Sequence, residues 1–137
     1  MEDNDDDVLI FKRALAKTGI GNEFHRLKNG QEALDFFGKN VEPENLPVVC
    51  FLDWHLPMKS GLEVLQFLNS KNLQVTFPVI VLTNQQDLKA IKESYVLGAH
   101  SFLTKPLDVE QLSNLTVNSR LIARQEMPNG TFLLLNR

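Results

Sequence analysis

The sequence has 137 residues, of which 43% are hydrophobic and 23% charged, and its formal net charge is −3. This length suffices for one domain with its own core. The apolar runs are too short to span a membrane, no basic stripe indicates a nucleic-acid or membrane surface, and an acidic start does not resemble a signal peptide. The single cysteine, Cys50, excludes an internal disulfide and fits a reducing compartment. We therefore expect a cytoplasmic protein.

The first part of the chain alternates helix and strand patterns. Residues 8–18 place apolar side chains on one helix face. Residues 23–28 (EFHRLK) alternate as a short strand does, and residues 31–37 predict a second helix. PVVCFLD, residues 47–53, is a continuous apolar run, which is typical of a strand buried on both faces.

The second part of the chain continues this alternation. Ser60 and Glu63 form a capping box that opens a helix, and Asp108 is expected to cap a last helix that ends near residue 124. Between these two helices the sequence predicts a strand at residues 77–83, a helix at 87–98 and a second strand at 100–106. One more strand is predicted after the last helix, at residues 131–135. Strands that alternate with helices indicate an α/β domain, in which a parallel sheet carries helices on both faces.

Polar side chains end three of the predicted strands. Asp53 follows VVCFL, Thr83 follows PVIVL and Lys105 follows SFLT. The carboxyl ends of parallel strands share one edge of a sheet, and Glu2 and Asp3 are expected to join that edge. Crowded carboxylates require a cation between them, and Mg²⁺ takes one or two carboxylates while it keeps several waters. A cation, an ammonium, a hydroxyl and a carboxylate nucleophile are the groups that phosphoryl transfer to an aspartate requires.

Each of these residues also has a purely structural interpretation. An aspartate such as Asp53 at a strand end is often a turn former or a helix cap. Lys105 has the alternative of a solvated surface lysine, but a lysine directly before a proline at a strand end favours a functional role. Phe102, in the same strand, has the alternative of plain core. Their combination at one edge favours the functional interpretation. The three acids at residues 5–7 are interpreted as charging and capping the first helix, and no metal is assigned to them.

Three stretches resemble the response regulator receiver domain of two-component signalling. They are LDWHLPMKSGLEVL, FPVIVLTNQQD and LGAHSFLTKPLD. A lone D-x-x-L-P-x-x-x-G is moderately specific, but together with Glu-Asp, Thr and Lys-Pro in the same order the pattern is strong. DDDVLIFKRAL and TFLLLNR are most similar to the single-domain, phytochrome-associated branch. The resemblance implies a receiver domain over residues 1–125 and a C-terminal extension with a short strand over residues 126–137.

The resemblance also implies the metal ligands. Asp53 is the expected phosphoacceptor. Asp3 and Asp53 are expected to bind Mg²⁺ directly, together with the main-chain carbonyl of His55, while Glu2 acts through a water molecule.

Further roles follow from the same resemblance. Lys105 is expected to pair with a phosphoryl oxygen, Thr83 to move in and hydrogen-bond the phosphoryl group, and Phe102 to follow as the switch aromatic. The bond between Lys105 and Pro106 is expected to be cis, which is rare. Three residues are expected to tune the lifetime of the phosphoryl group: His55, Asn84 and Gln85.

The fold that the resemblance implies is a flavodoxin-like, doubly wound parallel sheet with strand order 2-1-3-4-5. Here Met1 stands where the first strand of such a domain should end, so that strand is missing from the N-terminus. One hypothesis is that residues 131–135 fill its place between the segments at 24–27 and 48–52, from the same chain or by exchange within a homodimer. The alternatives are an addition beyond a complete sheet and a protein that starts upstream of Met1.

The leading hypothesis for function is a phosphorylation switch that accepts its phosphoryl group on Asp53 and acts by protein contact. The expected partners are a sensor histidine kinase, for example a phytochrome-like one, or a histidine phosphotransfer protein. We expect a phosphoacceptor that is not an enzyme, with autodephosphorylation as an open property. The alternatives are a receiver-like module that is never phosphorylated and an aspartyl-phosphate hydrolase, which commonly needs a second acid at the position of His55. The cognate kinase, downstream partner, input signal and oligomeric state are not specified by the sequence.

Overall fold

The computed structural model describes residues 1–39, 47–73, 77–83, 88–118, 122–128 and 130–135. In chain order, the described elements are α1 (Asp5–Lys17), α2 (Gly30–Gly38), β1 (Cys50–Asp53), α3 (Gly61–Ser70), β2 (Val79–Thr83), α4 (Leu88–Val96), β3 (Ser101–Thr104), α5 (Val109–Asn118), β4 (Ile122–Met127) and β5 (Gly130–Leu135). None of the described helices is long and apolar enough to cross a membrane.

The three strands β1, β2 and β3 form an open parallel sheet with β2 in the middle. Every residue of β2 is buried, which agrees with its uninterrupted apolar sequence. In the register of the sheet, Asp53 pairs with Leu82 and Thr83 pairs with Thr104. The ends of the three strands therefore lie side by side, and the predicted parallel sheet flanked by helices is confirmed.

Side chains on the sheet alternate between two cores. Leu52 and Val81 face a core that α2, α3 and α4 complete, whereas Phe51 and Leu82 face a core formed with α1 and α5. This alternation is the period-two pattern of strands buried on both faces. It places α1 and α5 together on one side of the sheet, where they contact each other.

Short polar motifs fix where the helices begin. The side chain of Asn4 accepts a hydrogen bond from the backbone N–H of Asp7 and so caps α1. The capping box between Ser60 and Glu63 opens α3 as predicted. Asp108 accepts a hydrogen bond from the backbone N–H of Gln111 at the start of α5. These caps fix the residue at which each of the three helices begins.

The last helix is shorter than predicted. We expected it to continue to about residue 124, but α5 ends at Asn118, and Ile122–Met127 forms β4. β4 pairs with β5 in an antiparallel hairpin in which Met127 faces Gly130, so two residues connect the strands. A partner strand this close in sequence outweighs the helical pattern of the segment. The predicted boundary of the receiver domain at residue 125 falls inside β4, and the division remains a prediction.

The prediction that residues 131–135 fill the place of the first strand is wrong. These residues belong to β5, which pairs with β4 in a two-stranded sheet separate from the parallel one. A short turn favours pairing with the adjacent strand, whereas a return to the centre of the parallel sheet requires a long crossover. The segment that was to be exchanged between two copies is therefore already paired within its own chain.

Residues 1 and 2 lie beside β1 instead. The amino group of Met1 donates to the carbonyl of Phe51, at 2.6 Å, and the N–H of Asp53 donates to the carbonyl of Met1, at 3.1 Å. On the other side, the N–H of Glu2 donates to the carbonyl of Leu27, at 3.0 Å. Residues 23–28 do not form a strand, in contrast to our prediction. One backbone hydrogen bond, from Glu2 to Leu27, is not the repeated pattern of hydrogen bonds that a β-ladder requires.

Candidate functional site

The candidate site lies at the carboxyl ends of β1, β2 and β3. Asp53 ends β1, and its buried carboxylate accepts two hydrogen bonds: Oδ1 from the backbone N–H of His55, at 2.9 Å, and Oδ2 from Nζ of Lys105, at 2.8 Å. The backbone N–H of Lys105 donates to the carbonyl of Thr83, at 2.8 Å. The structure thus brings together the three strand-end residues that the sequence singled out.

Lys105 is the centre of the charge arrangement. Its side chain is only 8% exposed, and its ammonium contacts the carboxylates of Glu2, Asp53 and Asp7. The distance from Nζ to Oδ2 of Asp7 is 3.0 Å. A buried ammonium requires such partners, because desolvation penalises an unpaired charge strongly. Three carboxylates match the three N–H donors of a lysine.

Asp7 is a site residue that the sequence analysis missed. It was interpreted as one of three acids that only charge and cap the first helix. Asp5 and Asp6 are exposed, but Asp7 lies inward and reaches Lys105. Its position one helical turn before the apolar Phe11, on the face of α1 that is buried, is the signal that could have identified it, since residues four apart lie near the same side of a helix.

Arg26 holds the backbone of the acidic pair. Its Nε donates to the carbonyl of Glu2 and its Nη2 to the carbonyl of Asp3, both at 3.1 Å. Nη1 also donates to Oδ1 of Asp5, at 2.7 Å. Arg26 therefore fixes the segment that carries Glu2 and Asp3. The sequence analysis missed this residue, because an arginine within a strand-like pattern gives no sign of such a contact.

The electrostatics of the site assign different states to its two buried carboxyl groups. Burial raises the pKa of Glu2 to about 7, and the nearby charge of Asp53 adds to this effect while Lys105 opposes it. Burial acts in the same direction on Asp53, but hydrogen bonds from Lys105 and from the N–H of His55 lower the pKa of Asp53 below its ordinary value. The pKa of Lys105 is raised by its carboxylate partners, which outweigh its burial. These surroundings therefore favour the ionised form of Asp53 and disfavour the ionised form of Glu2.

The acidic residues of the site have the composition of a magnesium site. Glu2, Asp3 and Asp53 each offer an oxygen, and these oxygens lie within 4.8 Å of one another. A set made of oxygens alone is what Mg²⁺ prefers. Within the described residues, the buried Oε2 of Glu2 accepts no hydrogen bond of regular geometry, although it contacts the ammonium of Lys105. The side chains present therefore fit a divalent cation.

The remaining predicted residues are placed as follows. Thr83 is buried at the end of β2. Phe102 is half-buried, and its ring packs edge-on against Tyr95 with a centroid distance of 6.3 Å. The bond between Lys105 and Pro106 is cis, as expected. The predicted lifetime-tuning residues Asn84 and Gln85 lie outside the described residues.

Comparison with known proteins agrees with this geometry. Residues 1–116 match the sequence model of the response regulator receiver domain. Response regulator Rcp1 of Synechocystis sp. is 31% identical over 114 residues, which cover 82% of this chain and 78% of Rcp1. The structure of Mn²⁺-bound Rcp1 superposes with a TM-score of 0.67 and covers 84% of each chain, at 30% identity.

Two further solved structures are similar over most of their length. The bacteriophytochrome response regulator RtBRR has a TM-score of 0.73 at 28% identity and covers 93% of this chain and 81% of its own. The phosphorylated cyanobacterial phytochrome response regulator RcpA has a TM-score of 0.68 at 31% identity and covers 84% of each chain. The chain belongs to the response regulator receiver domain family. It is a phosphoaccepting response regulator of the two-component type.

Proposed function

We propose that Asp53 is the residue that accepts the phosphoryl group. The observation that supports this most strongly is the state of its carboxylate. It is buried at a strand end and held between the ammonium of Lys105 and the N–H of His55, and these hydrogen bonds lower the pKa of Asp53. An ionised carboxylate in a fixed orientation is a suitable nucleophile for phosphorus.

In the proposed reaction, an oxygen of Asp53 forms a bond to phosphorus. The bond from phosphorus to the donor breaks at the same time, and the donor keeps the electron pair. The donor is a phosphohistidine or a small acyl phosphate. Lys105 already lies 2.8 Å from Oδ2 of Asp53, so its ammonium is placed to stabilise negative charge on the phosphoryl oxygens as they arrive.

We propose Glu2, Asp3 and Asp53 as the residues that hold Mg²⁺, with Glu2 acting through a water and the carbonyl of His55 completing the set. Bound there, the ion would neutralise charge that accumulates on the phosphoryl oxygens during transfer. Arg26 contributes by fixing the main chain that carries Glu2 and Asp3.

We propose that Thr83 and Phe102 carry the signal away from the site. Thr83 is buried at the end of the central strand β2, which pairs with the strand that ends at Asp53, and in this proposal its hydroxyl hydrogen-bonds the phosphoryl group. Phe102 lies on the neighbouring strand and packs against the half-exposed Tyr95. A movement of Phe102 would change the surface that Tyr95 and α4 present to a partner protein.

The proposed phosphodonor is a sensor histidine kinase, or a histidine phosphotransfer protein that relays from one. The similarity to Rcp1 and to the bacteriophytochrome and cyanobacterial phytochrome response regulators supports a phytochrome-like kinase. Output is proposed to occur by protein contact.

A direct test is incubation of the protein with acetyl phosphate and Mg²⁺, followed by intact mass measurement. We expect the wild type to gain one phosphoryl group and Asp53→Asn to gain none, because the amide is not a nucleophile for this reaction. Asp3→Asn serves as a second variant that keeps the nucleophile and weakens the proposed metal site. Labelling of Asp53→Asn at the wild-type level would show that another residue accepts the phosphoryl group.

A further inference from the structure

The three acids that open α1 have different environments. Asp5 is almost fully exposed, with 88% of its side chain accessible, and contacts Arg26. Asp6 is exposed as well. The side chain of Asp7 is 33% exposed, and its Oδ2 lies 3.0 Å from Nζ of Lys105. The cap at Asn4, which accepts a hydrogen bond from the N–H of Asp7, fixes this residue in the first helical turn.

Lys105 therefore has one carboxylate partner that the proposed reaction does not use. Glu2 and Asp53 belong to the group of carboxylates whose oxygens converge within 4.8 Å, and Asp7 does not belong to that group. Asp53 also gives up one oxygen to phosphorus. The contact with Asp7 is the one that can persist in every state of the site.

We propose that Asp7 is a positioning residue for Lys105. Its carboxylate holds the ammonium at the strand ends while Glu2 and Asp53 engage a metal ion and the phosphoryl group. This inference rests on the proposed role of Asp53. The physical reason is the flexibility of the lysine side chain, which loses much rotational freedom when it is ordered. A carboxylate that orders it in advance removes part of that cost from phosphoryl transfer.

The test compares Asp7→Ala and Asp7→Asn with Asp6→Ala. Asp6→Ala removes the same charge from the same helical turn, so it controls for interaction with the helix dipole. Three quantities are measured for each variant. They are the rate of phosphorylation by saturating acetyl phosphate and Mg²⁺, the Mg²⁺ concentration for half-saturation, and the melting temperature. Trp54, the single tryptophan, follows Asp53 directly and provides a fluorescence signal for the Mg²⁺ titration.

We expect Asp7→Ala to lower the phosphorylation rate about threefold to tenfold, which is the range for loss of one charge-assisted hydrogen bond shared among several. The half-saturating Mg²⁺ concentration should change by less than about threefold, because Asp7 lies outside the proposed ligand set. Asp7→Asn keeps an oxygen acceptor and should recover part of the rate. Asp6→Ala should behave as wild type.

A double-mutant cycle separates positioning from a merely structural role. If Asp7 acts through Lys105, Asp7→Ala should slow phosphorylation in the wild type and have no further effect in Lys105→Ala. An equal slowing in both backgrounds overturns the proposal, as does an unchanged or increased rate in Asp7→Ala or a loss of Mg²⁺ affinity of more than about tenfold. If the wild type itself gains no phosphoryl group, the role of Asp53 fails, and that of Asp7 fails with it.

Discussion

Gly61 packs directly against the backbone that carries Asp53. A Cβ at position 61 would lie 2.7 Å from the carbonyl oxygen of Asp53 and 2.6 Å from the Cα of Trp54. The N–H of Gly61 also donates to the carbonyl of Trp54, at 3.0 Å. The start of α3 and the end of β1 are therefore in contact through backbone alone. This contact explains why the glycine of the D-x-x-L-P-x-x-x-G pattern belongs to the site.

We predict that Gly61→Ala destabilises the protein and slows its phosphorylation. The neighbours of the new methyl group would be main-chain atoms, which cannot move aside as the end of a side chain can. Overpacking of this kind costs about 1–3 kcal/mol. The displacement would act on the main chain next to Asp53, so the rate with acetyl phosphate should fall as well. Urea unfolding and intact mass measure the two effects.

Gly38→Ala is the matched control for this prediction. The nearest atom to a Cβ at position 38 is Cζ of Phe67, at 3.8 Å, which is an ordinary contact. Alanine in a helix is favoured over glycine by roughly 0.5–1 kcal/mol, so this variant should be as stable as the wild type or more stable. Equal unfolding free energies for the two variants would contradict the role of backbone packing at Gly61.

The parallel sheet and most of the site were predictable because they depend on local patterns. Uninterrupted apolar runs indicated strands buried on both faces, and the polar residue that ends each run could only lie at the shared edge. The prediction that Asp53 and Lys105 meet needed no knowledge of loop conformations. The ion pair at 2.8 Å confirms it.

The parts that could not be predicted depend on contacts between distant segments. Residues 122–124 belong to the predicted last helix but form the first half of β4, because the partner strand β5 begins only two residues after β4 ends. The contact of Asp7 with Lys105 spans 98 positions in the sequence, and the choice between Asp6 and Asp7 is decided by the rotation of α1. Similarly, Arg26 binds carbonyl groups, which every residue has and which no pattern in the sequence distinguishes.

We predict that Arg26→Ala weakens Mg²⁺ binding. The guanidinium holds the carbonyls of Glu2 and Asp3, so its loss should let the segment with the two proposed ligands move. Loss of such an outer-shell partner typically costs about tenfold or more in metal affinity. The fluorescence of Trp54 during a Mg²⁺ titration measures the change.

Asp5→Asn is the control for the loss of the ion pair between Arg26 and Asp5. It removes the ion pair between Arg26 and Asp5 but keeps both carbonyl contacts. Because the Asp5 side chain is exposed, this pair contributes little, and Mg²⁺ affinity should stay within about twofold of the wild type. If Asp5→Asn weakens Mg²⁺ binding as much as Arg26→Ala does, the effect is one of charge and not of backbone placement.

The last prediction concerns the pH dependence of stability through His100. Nδ1 of His100 accepts a hydrogen bond from the N–H of Val79, at 3.1 Å, and the N–H of His100 donates to the carbonyl of Val79, at 2.9 Å. This pair of bonds connects the start of β2 to the residue before β3. Nδ1 can accept only while the imidazole is neutral. Partial burial lowers the pKa of His100 from its ordinary value of 6.5.

A histidine whose pKa is lower in the folded state contributes stability that is present above the unfolded pKa of 6.5 and is lost as the pH falls through the folded pKa. We therefore predict that the wild type is more stable than His100→Ala at pH 7.5 and that this advantage shrinks at pH 5. Urea unfolding at both pH values measures it. Glu2, whose pKa is raised to about 7, affects both proteins alike, so the comparison cancels its contribution. His25→Ala, which removes an exposed histidine far from this pair of bonds, is the control for the loss of a histidine side chain. A stability difference between the wild type and His100→Ala that is the same at pH 7.5 and pH 5 would show that protonation of His100 does not weaken this connection.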